Sequence, residues 1–171
     1  DIFYQTLKGE LPTDNKIEKL NQFSFLAETV KRDIKSHYAP HDYLLFDRGI
    51  DDHIHVFAHQ NMNKEDYLNY NIIQERILSE LKWQPYHLSI VLTSDLSSNI
   101  KRIQKRGRDT EKNMPIEYLQ GLADRYDKVL EQGIRHLYAS KVVVIDVTDK
   151  TEEEVLSIAL DKIDFYKHLK D

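Results

Sequence analysis

Three arginines, Arg102, Arg106 and Arg108, stand close together around Gly107, and a carboxylate, Glu111, follows before Pro115. Guanidinium groups at that density repel one another unless an anion sits among them, and their planar forks match phosphate oxygens two at a time. The chemistry they suit is the handling of a phosphoryl group by a lid between two helices. The plain alternative is a solvated basic helix end, which the helix dipole favours at a C-terminus. A second polar group, Asp47-Arg48-Gly49, follows directly on the apolar run Tyr43-Leu44-Leu45-Phe46. Polar residues emerge there where a buried strand should stop, the edge at which open α/β sheets bind their ligands. A third group, Asp51, Asp52, His53, His55 and His59, crowds one short helix. His55 and His59, four apart, could hold a divalent metal with a third ligand from elsewhere. Residues after a strand end more often face solvent or substrate.

These residues need elements to carry them. Asp14 or Thr13 can cap a helix over 15–37, whose apolar face is Ile17, Leu20, Phe23, Phe25, Leu26, Val30 and Ile34. The wholly apolar 43–47 suits a buried parallel strand. A helix from 50 to about 60 should turn Ile50, Ile54, Phe57 and Ala58 inward. Another, over 64–83, carries Tyr67, Leu68, Ile72, Ile73, Ile77, Leu78 and Leu81, more than one narrow stripe, so it should pack on two sides. Residues 87–93 and 141–147 read as further strands, with Ser94 or Asp95 capping the helix that leads into the arginines. A last helix, 151–168, has acids in its first turn and lysines in its last. Of the aromatics Phe3, Tyr4, Phe23 and Phe25, one could stack on a planar ligand, although core packing is their commoner use.

Composition bounds the function. A chain of 171 residues, 40% apolar and 31% charged, suits one soluble domain with a full core. The net charge of -5 argues against a general nucleic-acid binder, so the basic cluster is a local site on an acidic protein. The chain has no cysteine, which removes disulfides and thiolate chemistry. No apolar run reaches membrane-spanning length and no secretory signal is visible, so the default expectation is a cytoplasmic protein.

Strands separated by helices imply an α/β fold with a parallel sheet flanked by helices on both faces. Over residues 43–127 the chain resembles the deoxynucleoside kinases, a family of P-loop phosphotransferases. The resemblance rests on Asp47-Arg48 at a strand end, on the RxxxRxR pattern of Arg102, Arg106 and Arg108, on Glu111, and on Pro115-Ile116-Glu117-Tyr118-Leu119. It implies a three-layer P-loop kinase-like sheet with an arginine-rich lid. It implies ATP as phosphate donor, Mg2+ as cofactor, and the 5′-hydroxyl of a deoxynucleoside as acceptor. Asp47 would lie near the metal, and Arg48 near the acceptor hydroxyl and the transferring phosphate. Arg102, Arg106 and Arg108 would stabilise the charge that develops as the lid closes on ATP. Gln22 matches a base-reading glutamine, and Asp52 or His53 falls where some members place a base-reading acid. Glu111 follows the lid as a further substrate contact. Thr29 stands where an arginine often shares the work of Gln22, and Gly49 where a serine is usual.

The sequence contains no GxxxxGK[ST], the loop that cradles donor phosphates. The expectation is a single kinase-like domain lacking the first strand and phosphate loop, because leaving out a central strand would orphan two rows of buried backbone groups. Expressed alone, such a chain should bind ATP poorly and be unable to phosphorylate a deoxynucleoside. The competing readings are a non-catalytic nucleotide-binding or interaction module on a decayed kinase fold, and a kinase for another acceptor such as a nucleoside monophosphate. The resemblance and the apolar breadth of 64–83 also imply a homodimer formed through long helices.

Overall fold

The computed structural model describes residues 5–6, 9–12, 14–38, 40–111 and 114–167, so Phe3, Tyr4 and Thr13 lie outside the described residues. The chain resolves into two compact units, one of residues 1–84 with 121–132, the other of 85–120 with 133–171.

The first unit is helical. Helix α1 (Asn15–His37) begins where expected. The Asp14 carboxylate accepts hydrogen bonds from the amides of Lys16 at 2.8 Å and Ile17 at 2.9 Å, satisfying donors that a helix start leaves open. Its apolar face buries Leu26 and Val30 but leaves Leu20 half exposed. Helix α2 (Lys64–Glu80) is capped by Asn63, whose side-chain oxygen accepts from the Asp66 amide at 2.9 Å. The Asp66 carboxylate in turn receives Asn15 at 2.9 Å and Lys19 at 3.0 Å, tying the starts of α1 and α2 together.

Two expectations fail in this unit. Residues 43–46 form no strand, and Tyr43, Leu44 and Leu45 are exposed. An apolar run becomes a strand only when a neighbouring strand takes its backbone donors and acceptors, and the sheet among the described residues does not include this run. The segment that follows is helical, but Asp52–Ala58 is wound as a π-helix before one α-turn, His59–Asn61. The wider winding brings Val56 into the core beside the expected Ile50, Ile54 and Ala58, and leaves Phe57 half-buried. In α2 the buried positions are Tyr70 and Gln74, whereas Leu68, Ile72, Ile73 and Leu81 are exposed.

The second unit holds the sheet. Strands β1 (Tyr86–Thr93) and β2 (Ala139–Asp146) pair in parallel, from Tyr86 opposite Ala139 to Thr93 opposite Asp146. The fold is thus mixed α/β with parallel strands, and the sheet among the described residues has two strands rather than the three expected. Helix α3 (Leu96–Arg106) leaves β1 through Asp95, whose carboxylate accepts from the Ser98 amide at 2.8 Å. Hydrogen bonds from the Ser97 hydroxyl and then from Ser98 hold Asp95 down to a pKa of about 2. A turn of 3-10 helix, Asp109–Glu111, leads to α4 (Ile116–Glu131), whose residues divide between the two units. Helix α5 (Glu152–Lys167) lies against β1.

Candidate functional site

In the first unit the sequence-predicted residues gather around the turn at 47–49. Arg48 has φ of 65°, a left-handed backbone that L side chains rarely adopt outside glycine, asparagine and aspartate. The turn is held from both sides. Gly49 donates its amide to the Asp52 carboxylate at 3.1 Å, a helix-start contact in which the acid reaches back to the cap. From α1, Arg32 donates to the carbonyls of Asp47 at 3.3 Å and Arg48 at 3.1 Å, while its guanidinium lies 4.6 Å over the Phe46 ring. Asp33, with a side chain 2% exposed, accepts Arg32 at 3.0 Å on one carboxylate oxygen and the Trp83 indole at 3.2 Å on the other. The Arg48 guanidinium sits 4.8 Å over the Phe57 ring. Arg32 was not legible as a site residue: an arginine beside an acid on a helix reads as a solvated pair.

Gln22 is 1% exposed, and neither its amide nitrogen nor its amide oxygen has a hydrogen-bond partner among the described residues. Gln22 is therefore no surface residue. Burying an amide without partners is costly, so a partner from outside the chain is the natural completion. His53 presents a second open group, its buried Nδ1. Its ring stacks on Phe25 at 5.6 Å and 19°, with Phe57 at 6.1 Å. Burial foremost pushes the His53 pKa down to about 4; Asp52 opposes that shift, and Arg48 and Arg32 add to it. The imidazole is therefore neutral near pH 7. Thr29 is buried 5% exposed, without the bulk or charge of an arginine.

His55 and His59 do not converge on a metal position. Tyr67 engages both, its hydroxyl 3.3 Å from His55 Nδ1 and its ring edge-on to His59 at 4.8 Å. No group of three potential metal ligands occurs among the described residues. A magnesium ion does not need one, since it is commonly held by one or two carboxylates, water and substrate phosphates. The exposed Asp47 fits that mode, as the residue that would meet such an ion.

In the second unit the three arginines part company. Arg102 donates to the Ser94 hydroxyl at 2.9 Å, to the Val147 carbonyl, and to the Thr148 carbonyl at 3.3 Å, so its guanidinium ties the ends of β1 and β2. Arg106 and Arg108 converge instead on Glu111, at 2.6 Å and 3.5 Å. The turn between them is made by Gly107, at φ of 67°, whose amide closes α3 on the Ile103 carbonyl at 3.1 Å. The anion that the arginine density demands is present, and in this structure it is a carboxylate. Both guanidiniums are about half exposed, so an oxyanion can approach them from solvent.

Comparison with known proteins places the chain in a family. The family model described as Deoxynucleoside kinase matches residues 19–165. Deoxyguanosine kinase of Dictyostelium discoideum is 32% identical over 50% of this chain and 28% of its own length. Deoxycytidine kinase 2 of Gallus gallus is 26% identical over 71% of this chain and 52% of its own. The chain thus spans about half or less of the curated relatives it matches. Among solved structures, deoxyadenosine kinase from M. mycoides, with the products dCMP and a flexible dCDP bound, superposes with a TM-score of 0.75. That match is 20% identical and covers 95% of this chain and 80% of the other, which establishes likeness of fold.

Proposed function

The chain belongs to the deoxynucleoside kinase family, and from that premise we propose that it serves the ATP-dependent phosphorylation of a deoxynucleoside 5′-hydroxyl. The observation that carries this reading is Gln22, a fully buried amide with a donor and an acceptor both open. A planar amide of that kind recognises a nucleobase edge by paired hydrogen bonds. Arg48 takes the acceptor's 5′-end and the transferring phosphate, Asp47 the magnesium ion, and Arg106 and Arg108 the charge that builds on the phosphoryl group. Glu111 occupies the two lid arginines until a phosphate replaces it. Arg102, spent on protein acceptors, keeps the lid helix anchored to the strand ends, and Asp52 supports the Arg48 turn. The exposed Leu68, Ile72 and Ile73 of α2 and Leu81 at its end, with Leu20 of α1, support pairing of two copies through these helices.

Calorimetric titration of the chain with the four deoxynucleosides and their 5′-monophosphates tests the reading. Binding with a preference for one base is expected, and Gln22→Leu should abolish the preference without lowering the melting temperature. A chain that binds none of them, or a Gln22→Leu variant with wild-type preference, overturns it.

A further inference from the structure

The backbone that carries Arg48 is held by a residue with no assigned role. We propose that Arg32 is a positioning residue, whose guanidinium fixes the Asp47-Arg48 turn by bridging both of its carbonyls to the buried carboxylate of Asp33. The inference deepens the functional reading and rests on it for the phosphate-handling role of Arg48. Were neutralising Asp33 the whole of its work, contact with that carboxylate would suffice. Instead Nη1 is spent on the Asp47 carbonyl at 3.3 Å and Nη2 on the Arg48 carbonyl at 3.1 Å, while Nε and Nη2 also meet Asp33 at 3.0 Å. The Phe46 ring lies beneath the guanidinium at 4.6 Å and restricts its plane.

The turn has reason to need this. Arg48 stands at φ of 65°, where a Cβ crowds the following carbonyl, so the conformation persists only if its surroundings over-determine it. The Gly49 amide bond to Asp52 fixes one end; Arg32 fixes the other. Asp33 is fixed in turn by the Trp83 indole on its second oxygen, so the arrangement runs from the segment after α2 through α1 to the turn. Preorganised charge stabilises a developing anion without reorganising when the reaction occurs, and a fixed backbone is what makes the Arg48 charge preorganised. A lysine at 32 would keep the ion pair with Asp33, but its ammonium lacks the planar fork that meets two carbonyls and a carboxylate together.

The test is a double-mutant cycle on the full chain, with affinity for the preferred deoxynucleoside 5′-monophosphate measured in wild type, Arg32→Lys, Arg48→Ala and the double variant. Arg32→Lys should melt cooperatively and weaken binding about tenfold, yet weaken it by less than about twofold when Arg48 is already alanine. No weakening, or equal weakening in both backgrounds, overturns the proposal, since a purely structural role would add independently. If the wild-type chain binds no monophosphate, the family-based reading fails by itself and hydrogen exchange at the Gly49 amide decides this one. Exchange about tenfold faster in Arg32→Lys supports it, and an unchanged rate overturns it. If Arg32→Lys loses its cooperative melt, the cycle is run with Phe46→Leu, which removes the ring beneath the guanidinium and spares the Asp33 pair. A weakening of about threefold then supports the proposal, and none overturns it.

Discussion

The two units satisfy their functional charges in opposite ways. In the first, charged groups are buried and fixed: Asp33 and Asp52 are each less than a tenth exposed, and Arg48 hangs from a turn pinned at both ends. In the second, Arg106 and Arg108 stay half in water and neutralise themselves on Glu111. A buried group interacts strongly because competing solvent is gone, but it must be satisfied at all times or it costs stability. An exposed group costs the fold little and can change partners, which is what a residue that meets a phosphate only transiently requires. Folding and function should therefore be coupled in the first unit and separable in the second.

Asp33→Ala gives the largest expected break. It leaves Arg32, about a third exposed, without its carboxylate and the Trp83 indole without its acceptor, and each hydrogen bond to a charged group contributes about 1.5–3 kcal/mol. Because Trp83 is the chain's only tryptophan, its emission should shift as well. A chemical denaturation midpoint equal to wild type would place the pair outside the energetics of this unit.

His53 sharpens the comparison through pH. Its folded pKa of about 4 lies below the ordinary value of 6.5, so below pH 6.5 the unfolded chain binds a proton that the folded chain refuses. The stabilisation is fully present above about pH 6.5 and is lost as pH falls through about 4, up to roughly 3 kcal/mol in all. His53→Phe should remove that acid slope while keeping the stacking on Phe25 and Phe57. The check is a series of melts between pH 4 and 7 on both proteins; parallel curves would remove His53 from the account.

What could be read in advance divides along the same line. The α1 boundaries follow from a capping acid and a local period, and β2 from an unbroken Val142-Val143-Val144-Ile145 run, because both depend on neighbours in sequence. The clustered arginines and Glu111 were legible as a charge pattern for the same reason. Residues 43–47 were not: Tyr-Leu-Leu-Phe is apolar enough for a strand, but strand formation needs a partner whose presence the run itself does not encode. The π-winding of Asp52–Ala58 escaped because its residues fit an α period almost as well. Arg32 and Arg102 show what a charge pattern leaves out. Nothing in the sequence singles out Arg32, which braces a turn, and the pattern that groups Arg102 with Arg106 and Arg108 does not show that its guanidinium also ties the strand ends.

Gln22→Leu should act against intuition. Removing an amide that has no partner relieves a desolvation cost, so the variant should be as stable as wild type or more so by about 1–2 kcal/mol, while losing base preference. Stability gained together with recognition lost is the pattern expected of a buried site that awaits a ligand. A destabilised variant would mean that the amide is already satisfied within the fold.

The smallest expected effect on folding belongs to Arg106→Ala and Arg108→Ala. Each removes one arm of a pair whose cation is half exposed, and such pairs contribute between nothing and about 1 kcal/mol because water and salt compete for the cation. Glu111 keeps one guanidinium in either single variant, so no carboxylate is left unpaired, and midpoints should stay within about 0.5 kcal/mol of wild type. Phosphoryl transfer is another matter. There the same guanidiniums would meet charge that develops only in the transition state, and loss of such a donor typically lowers kcat by about 10²–10³-fold. Lysine in either place should recover the charge but not the fork, and so restore turnover only in part. Equal stability with a large fall in kcat would establish the separation of folding from chemistry in this unit. A midpoint shift comparable to that of Asp33→Ala would erase the contrast, because it would mean that the lid arginines are held by the fold as firmly as the Arg48 turn.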